Sequence, residues 1–168
     1  MSHPAGFTIA TNLGAIRLKF LNGAAPQTVA HVSKLIETGL FSTGKSTFYR
    51  SDFVIQVRSD QGAKDIVASL VAVSFRRYRF LFASNALIPS SQTGLYGTDV
   101  QNPVPDLPVN ETPLHEKVTN DRGAMAIAHF DVPDNGNSEM FISLQHNEHL
   151  DAAYGGYCVF ARVEDDER

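Results

Sequence analysis

One segment alone in this chain keeps the spacing of a helix. Between Pro26 and Gly39, in PQTVAHVSKLIETG, the apolar residues Val29, Val32, Leu35 and Ile36 recur three to four positions apart. Pro26 suits a first helical turn, where its missing N–H costs nothing, and Gly39 suits the C-terminal cap. An α/β architecture needs helices alternating with its strands, and no second segment supplies one. A mainly β fold with a single clear helix is therefore expected, as a small barrel or sandwich.

The remaining ordered segments read as short strands. Ile16, Leu18 and Phe20 alternate with Arg17 and Lys19, and Asn12-Leu13-Gly14 supplies turn chemistry before them, so residues 7–20 predict two strands around a turn. Phe48–Gln56 predicts a strand or strand pair, rich in aromatic and branched residues. Gly123–Ala128, Met140–Leu144 and Tyr157–Val163 predict three more, with turn-rich residues 131–137 and the loop 145–156 between them. Residues 65–86 are apolar and basic without a clean period. Residues 89–113 carry five prolines, which is loop composition.

With 168 residues the chain is long enough for one domain with a real core and too short to expect two. Its formal net charge of −4 argues against nucleic-acid binding by bulk charge. No apolar run approaches the ~20 residues that span a bilayer. Cys158 is the only cysteine, which excludes an internal disulfide and favours a reducing compartment. The N-terminus lacks a basic stretch followed by an apolar run, so an intracellular, cytoplasmic protein without a signal peptide is expected.

Most isolated motifs favour a plain structural reading. His146 and His149 stand three apart without a companion ligand motif, so no metal site is expected. Cys158 in an apolar strand reads as a small core residue. Arg76-Arg77-Tyr78-Arg79 reads as a solvated basic face, and Asn110-Glu-Thr as a glycosylation pattern relevant only to a secreted protein. Arg50 is harder to dismiss. In STFYRSDFVIQ it lies among Phe48, Tyr49, Phe53, Val54 and Ile55, where an unpaired charge is costly. As one uninterrupted strand, the segment would place Phe48, Arg50, Asp52, Val54 and Gln56 on one face. By itself, such an arginine could simply extend to solvent.

A second segment gives it a role. Met125-Ala-Ile-Ala128, Asn135-Gly-Asn-Ser138, Ser138-Glu-Met-Phe-Ile142, Leu150-Asp151 and Val159-Phe160 follow one another as in the cyclophilin family of peptidyl-prolyl isomerases, which this chain resembles. Phe48-Tyr-Arg50 followed by Phe53-Val-Ile-Gln56 is similar to another block of that family, and residues 11–14 and 25–29 resemble its opening. The resemblance covers about residues 7–56 and 105–163. It implies a single domain, 1–168, with a closed or nearly closed antiparallel β-barrel, interrupted by an atypical insertion at about 57–86. It also implies isomerisation of X-Pro bonds in peptides or proteins, with a proline-containing substrate as partner and no cofactor or metal. Arg50 would be the catalytic donor, oriented by Gln56 from along the same strand. Phe53, Val54, Phe141 and Leu150 would hold the proline ring, and Ala126, Ile127, Glu139, His149 and Tyr157 would complete the substrate site.

Several positions depart from the family's pattern. Ile127 stands where Asn is usual, in a place that acts largely through its backbone. Glu139 replaces a common Gln and brings an acid towards Arg50, where competition for the guanidinium would hold it away from substrate or merely cost some activity. His149 stands where many members carry Trp. Tyr157, or Tyr154 given the longer loop, takes the place of a pocket His. The family's Gly-Gly after Gln56 is replaced by Val57-Arg58, and the helix and closing strand that follow the last matched strand are missing. Residues 57–86, or a larger protein assembly, are then expected to cover the open edge beside residues 7–11. The rival reading is a catalytically weak interaction subunit with the same fold.

Overall fold

The structure is a computed structural model, which describes residues 5–11, 14–41, 46–59, 68–74, 79–85, 107, 109–114, 118–134 and 136–164. The turn residues 12 and 13, the basic residues 76–78 and the proline-rich stretch 89–105 lie outside them. Nine strands are described: β1 (Gly6–Thr11), β2 (Gly14–Phe20), β3 (Ser46–Ser51), β4 (Val54–Ser59), β5 (Ala68–Ser74), β6 (Arg79–Asn85), β7 (Ala124–Ile127), β8 (Met140–Ser143) and β9 (Val159–Val163). The one α-helix among the described residues is α1 (Pro26–Glu37), and two short 3-10 turns, Glu148–Asp151 and Ala153–Gly155, precede β9.

The expected helix forms where its period predicts. Thr28, Val29, Val32 and Leu35 are its buried residues. Gly39 adopts φ 75°, a left-handed conformation that suits glycine, and its N–H caps the Ile36 carbonyl at 3.0 Å. The N-terminal end is capped from a distance. Ala25 occupies the cap position and offers no side-chain acceptor. Instead the buried Glu111 carboxylate accepts from Gln27 N (3.0 Å), Thr28 N (2.7 Å) and Thr28 Oγ1 (2.6 Å). A carboxylate here satisfies two orphan amides and meets the positive end of the helix dipole.

Seven strands form one antiparallel sheet in the order β1-β2-β9-β7-β8-β4-β3. Its two faces bury different sets of side chains. Leu18, Phe20, Ile55, Val57, Met125, Ile127, Met140, Ile142, Phe160 and Ala161 pack with Val29 and Val32 of α1 into the main core. Val54, Ala124, Ala126, Ala128, Phe141, Leu150 and Val159 form a second apolar cluster, flanked by Leu21, Phe53, Val118 and Tyr157.

Of the strand or strand pair expected at Phe48–Gln56, the pair forms: a hairpin broken at Asp52-Phe53, where Asp52 N bonds Val54 O (3.0 Å) and Val54 N bonds Asp52 Oδ1 (3.2 Å). Among its described residues, the 57–86 segment does not pair with β1 as expected. Its β5–β6 hairpin lies nearest β3, while β1 is paired with β2 alone among the described strands. Among the described residues of that segment, Ala68 to Ser74 face Asn85 to Arg79 in antiparallel register.

Candidate active site

Cross-strand register brings distant residues into one row. Arg50 of β3 opposes Gln56 of β4, Gln56 opposes Phe141 of β8, Phe141 opposes Ala126 of β7, and Ala126 opposes Val159 of β9. Directly opposed residues share a face of a sheet, so the row runs from a charged rim into the second apolar cluster. Val54, two residues from Gln56, shares that face. Tyr157 closes the far side, its ring 5.6 Å from that of Phe141 and stacked at 4.3 Å on His129. Leu150, from the first 3-10 turn, is buried in the same cluster.

Arg50 is held at the rim by three groups. Asp52 Oδ2 accepts from Nε at 2.9 Å and from Nη2 at 2.8 Å. The Phe53 ring lies beneath the guanidinium, with Cζ 4.8 Å from its centroid, a cation–π distance. Nη1 donates to Gln56 Oε1 at 3.5 Å, a long bond. Phe53 is in turn fixed through its carbonyl, which accepts from Leu144 N (3.0 Å) and Asn147 Nδ2 (3.2 Å). His149 packs edge-on against its ring at 5.1 Å.

The expected competition between Glu139 and Arg50 is not what forms. The guanidinium's carboxylate partner is Asp52, whereas Glu139 Oε1 accepts from Gln56 Nε2 at 2.8 Å. Glu139 is only 3% exposed, and this burial pushes its carboxyl up to about 8. The geometry also orders the Gln56 amide. Arg50 can only donate, so the amide oxygen faces it and the amide nitrogen faces Glu139.

Other expected site residues divide. Arg50, Phe53, Val54, Gln56, Ala126, Phe141, Leu150, His149 and Tyr157 come together around the row. Ile127 does not: its side chain belongs to the main core on the opposite face, and its N–H is engaged by the Cys158 carbonyl at 3.3 Å. Of the two tyrosines, Tyr157 adjoins the cluster and Tyr154 is exposed at φ 52°. His146 bonds Asp121 at 2.6 Å while His149 meets Phe53, so the two histidines face different partners. The Asn110 amide is buried and donates to the Gly156 carbonyl at 2.7 Å, which withholds it from glycosylation.

Asp52 was missed as a site residue. Its signal lay in the i, i+2 spacing from Arg50, which places both on one side of a strand. Its clamp forms only because the hairpin turns there.

Comparison with known proteins agrees with this fold. A family model for cyclophilin type peptidyl-prolyl cis-trans isomerases matches residues 6–167. No curated protein matches the chain. Among solved structures, a Cryptosporidium parvum cyclophilin type peptidyl-prolyl cis-trans isomerase, crystallised in the presence of the dipeptide Ala-Pro, superposes with a TM-score of 0.62 at 17% identity, covering 96% of this chain and 80% of its own. A cyclophilin from Hirschia baltica superposes with a TM-score of 0.57 at 18% identity, covering 96% and 64%. At these identities the likeness speaks for the fold.

Proposed function

Because the chain belongs to the cyclophilin-type peptidyl-prolyl cis-trans isomerase family, we propose that it isomerises X-Pro bonds in peptides or proteins, with Arg50 as the catalytic residue. The barrier to that rotation is about 18–20 kcal/mol, because twisting the amide destroys its resonance. In the twisted state the proline nitrogen turns pyramidal and regains a lone pair. A guanidinium beside it donates a hydrogen bond that the planar amide barely accepts. Such a bond is stronger in the transition state than in the ground state, which is what lowers a barrier. No proton is transferred, and no cofactor is required.

The observation that carries the proposal is the row. Arg50 lies two strands from Phe141, and the cluster beyond it is apolar, shaped by Phe53, Val54, Phe141 and Leu150. A proline ring in that cluster would leave its nitrogen towards the rim, where Asp52 and Phe53 fix the guanidinium. The Ala-Pro dipeptide used with the Cryptosporidium relative makes a short Ala-Pro peptide the natural first substrate. The second reading, a weakly active binding subunit, is favoured by the hold of Asp52 on Arg50.

An isomer-specific protease-coupled assay separates the two. Arg50→Ala should lower kcat/KM by roughly two orders of magnitude, as loss of one preorganised donor does elsewhere, with the denaturation midpoint little changed. Wild-type rates no faster than those of Arg50→Ala would leave only the binding subunit.

A further inference from the structure

We infer that Glu139 is a positioning residue that gates the site by its proton: the neutral carboxyl holds Gln56 and Arg50 in the poised row, and the ionised carboxylate disrupts it, so that isomerisation weakens as pH rises. This rests on the proposed isomerase reading and adds a control that the reading itself does not require.

The gate follows from how Glu139 is surrounded. It is buried immediately before β8, with Gln56 Nε2 on Oε1 as its one side-chain hydrogen bond among the described residues. The described titratable and charged groups on the neighbouring elements are committed elsewhere. Arg50 of β3 and Asp52 of the following turn bind each other. His129, after β7, faces the carbonyls of Phe130 and Gly156. His31 of α1 faces the Asn137 carbonyl, and His149 lies on Phe53. A carboxylate formed here would be a buried charge with one neutral donor, and such a charge draws a cation or water to itself. The available cation is Arg50, one amide away, whose side chain is 42% exposed at the rim. Moving it towards Glu139 forfeits the Phe53 face and the rim position. The burial that raises the carboxyl to about 8 places this change at the alkaline edge of neutrality. A glutamine at this position could not ionise, so the behaviour belongs to this chain's own residue.

The test is the pH profile of kcat/KM for a short Ala-Pro peptide, taken from pH 6 to 9.5 on the full chain and on Glu139→Gln. One group titrating near 8 makes the wild type about tenfold slower at pH 9 than at pH 7. Glu139→Gln, whatever its rate at pH 7, should show no decline between pH 7 and 9.5. A flat wild-type profile, or the same decline in Glu139→Gln, overturns the gate. If the wild type shows no isomerisation at any pH, the functional reading fails, and NMR still judges the gate. The Glu139 carboxyl carbon and the side-chain N–H signals of Gln56 and Arg50 should then titrate with one shared midpoint near 8, and the Gln56 and Arg50 steps should vanish in Glu139→Gln. An ordinary glutamate midpoint, or a carboxyl step that the Gln56 and Arg50 signals do not follow, overturns it.

Discussion

At the scale of single residues, the site depends on how a flexible, half-exposed arginine is kept in place. Arg50 and Asp52 are 42% and 45% exposed, so their pairing contributes little to stability, about 0.2–1 kcal/mol. Its value is orientation: with Nε and Nη2 occupied by Asp52, Nη1 is left on the Gln56 side, over the row. Asp52→Asn should therefore leave the denaturation midpoint nearly unchanged and lower kcat/KM about fivefold, the equivalent of ~1 kcal/mol in the barrier. A rise in rate would mean that Asp52 withholds the guanidinium instead. Arg50, Phe53, Gln56 and Phe141 were legible because each lies inside a short local motif. The Asp52 clamp was not, because it exists only once the chain turns between Asp52 and Val54. Ile127 was expected to act through its backbone, and its side chain packs in the main core, on the face opposite the row.

Among elements, α1 was the easiest to foresee and its anchor the hardest. Its period is printed in Val29, Val32 and Leu35. Its N-terminal cap comes from Glu111, 83 residues further on from Thr28, and no local pattern announces such a partner. Glu111→Ala removes an acceptor from two backbone amides and one hydroxyl, in a buried setting where unpaired donors cost about 1–3 kcal/mol. Urea denaturation should accordingly show a loss of about 2–3 kcal/mol, while kcat/KM of the folded protein stays near wild type, since Glu111 lies outside the row. A loss below about 0.5 kcal/mol would place the cap's weight elsewhere, in the range of ordinary surface changes. The β3–β4 hairpin falls within the strand pair allowed for residues 48–56, but apolar residues on both sides of the turn conceal where it breaks.

On the scale of the whole molecule, what the sequence concealed was long-range pairing. The strand order and the meeting of Gln56 with Glu139 across 83 residues depend on contacts that composition does not encode. The last of these reaches stability as well as function. Burial raises Glu139 to about 8 from 4.5, so folding favours its protonated form. That contribution is fully present below pH about 4.5, shrinks as the unfolded chain ionises first, and is lost by the time pH passes about 8. Relative to Glu139→Gln, the wild type should lose stability steadily across that window, as followed by denaturant midpoints at successive pH values. Parallel curves for the two proteins would show that the carboxyl is not buried in solution as it is here.

The central claim is that one guanidinium, set at the edge of an apolar row by Asp52, Phe53 and Gln56, turns this sheet into a prolyl isomerase. Exchange spectroscopy by NMR measures that directly, since cis and trans signals of an Ala-Pro peptide are separate and their uncatalysed interconversion takes tens to hundreds of seconds. With catalytic amounts of the wild-type chain at pH 7, exchange cross-peaks should appear within a sub-second mixing time. With Arg50→Ala at the same concentration they should be absent. Cross-peaks of equal intensity from both proteins, or none from either, would contradict the account.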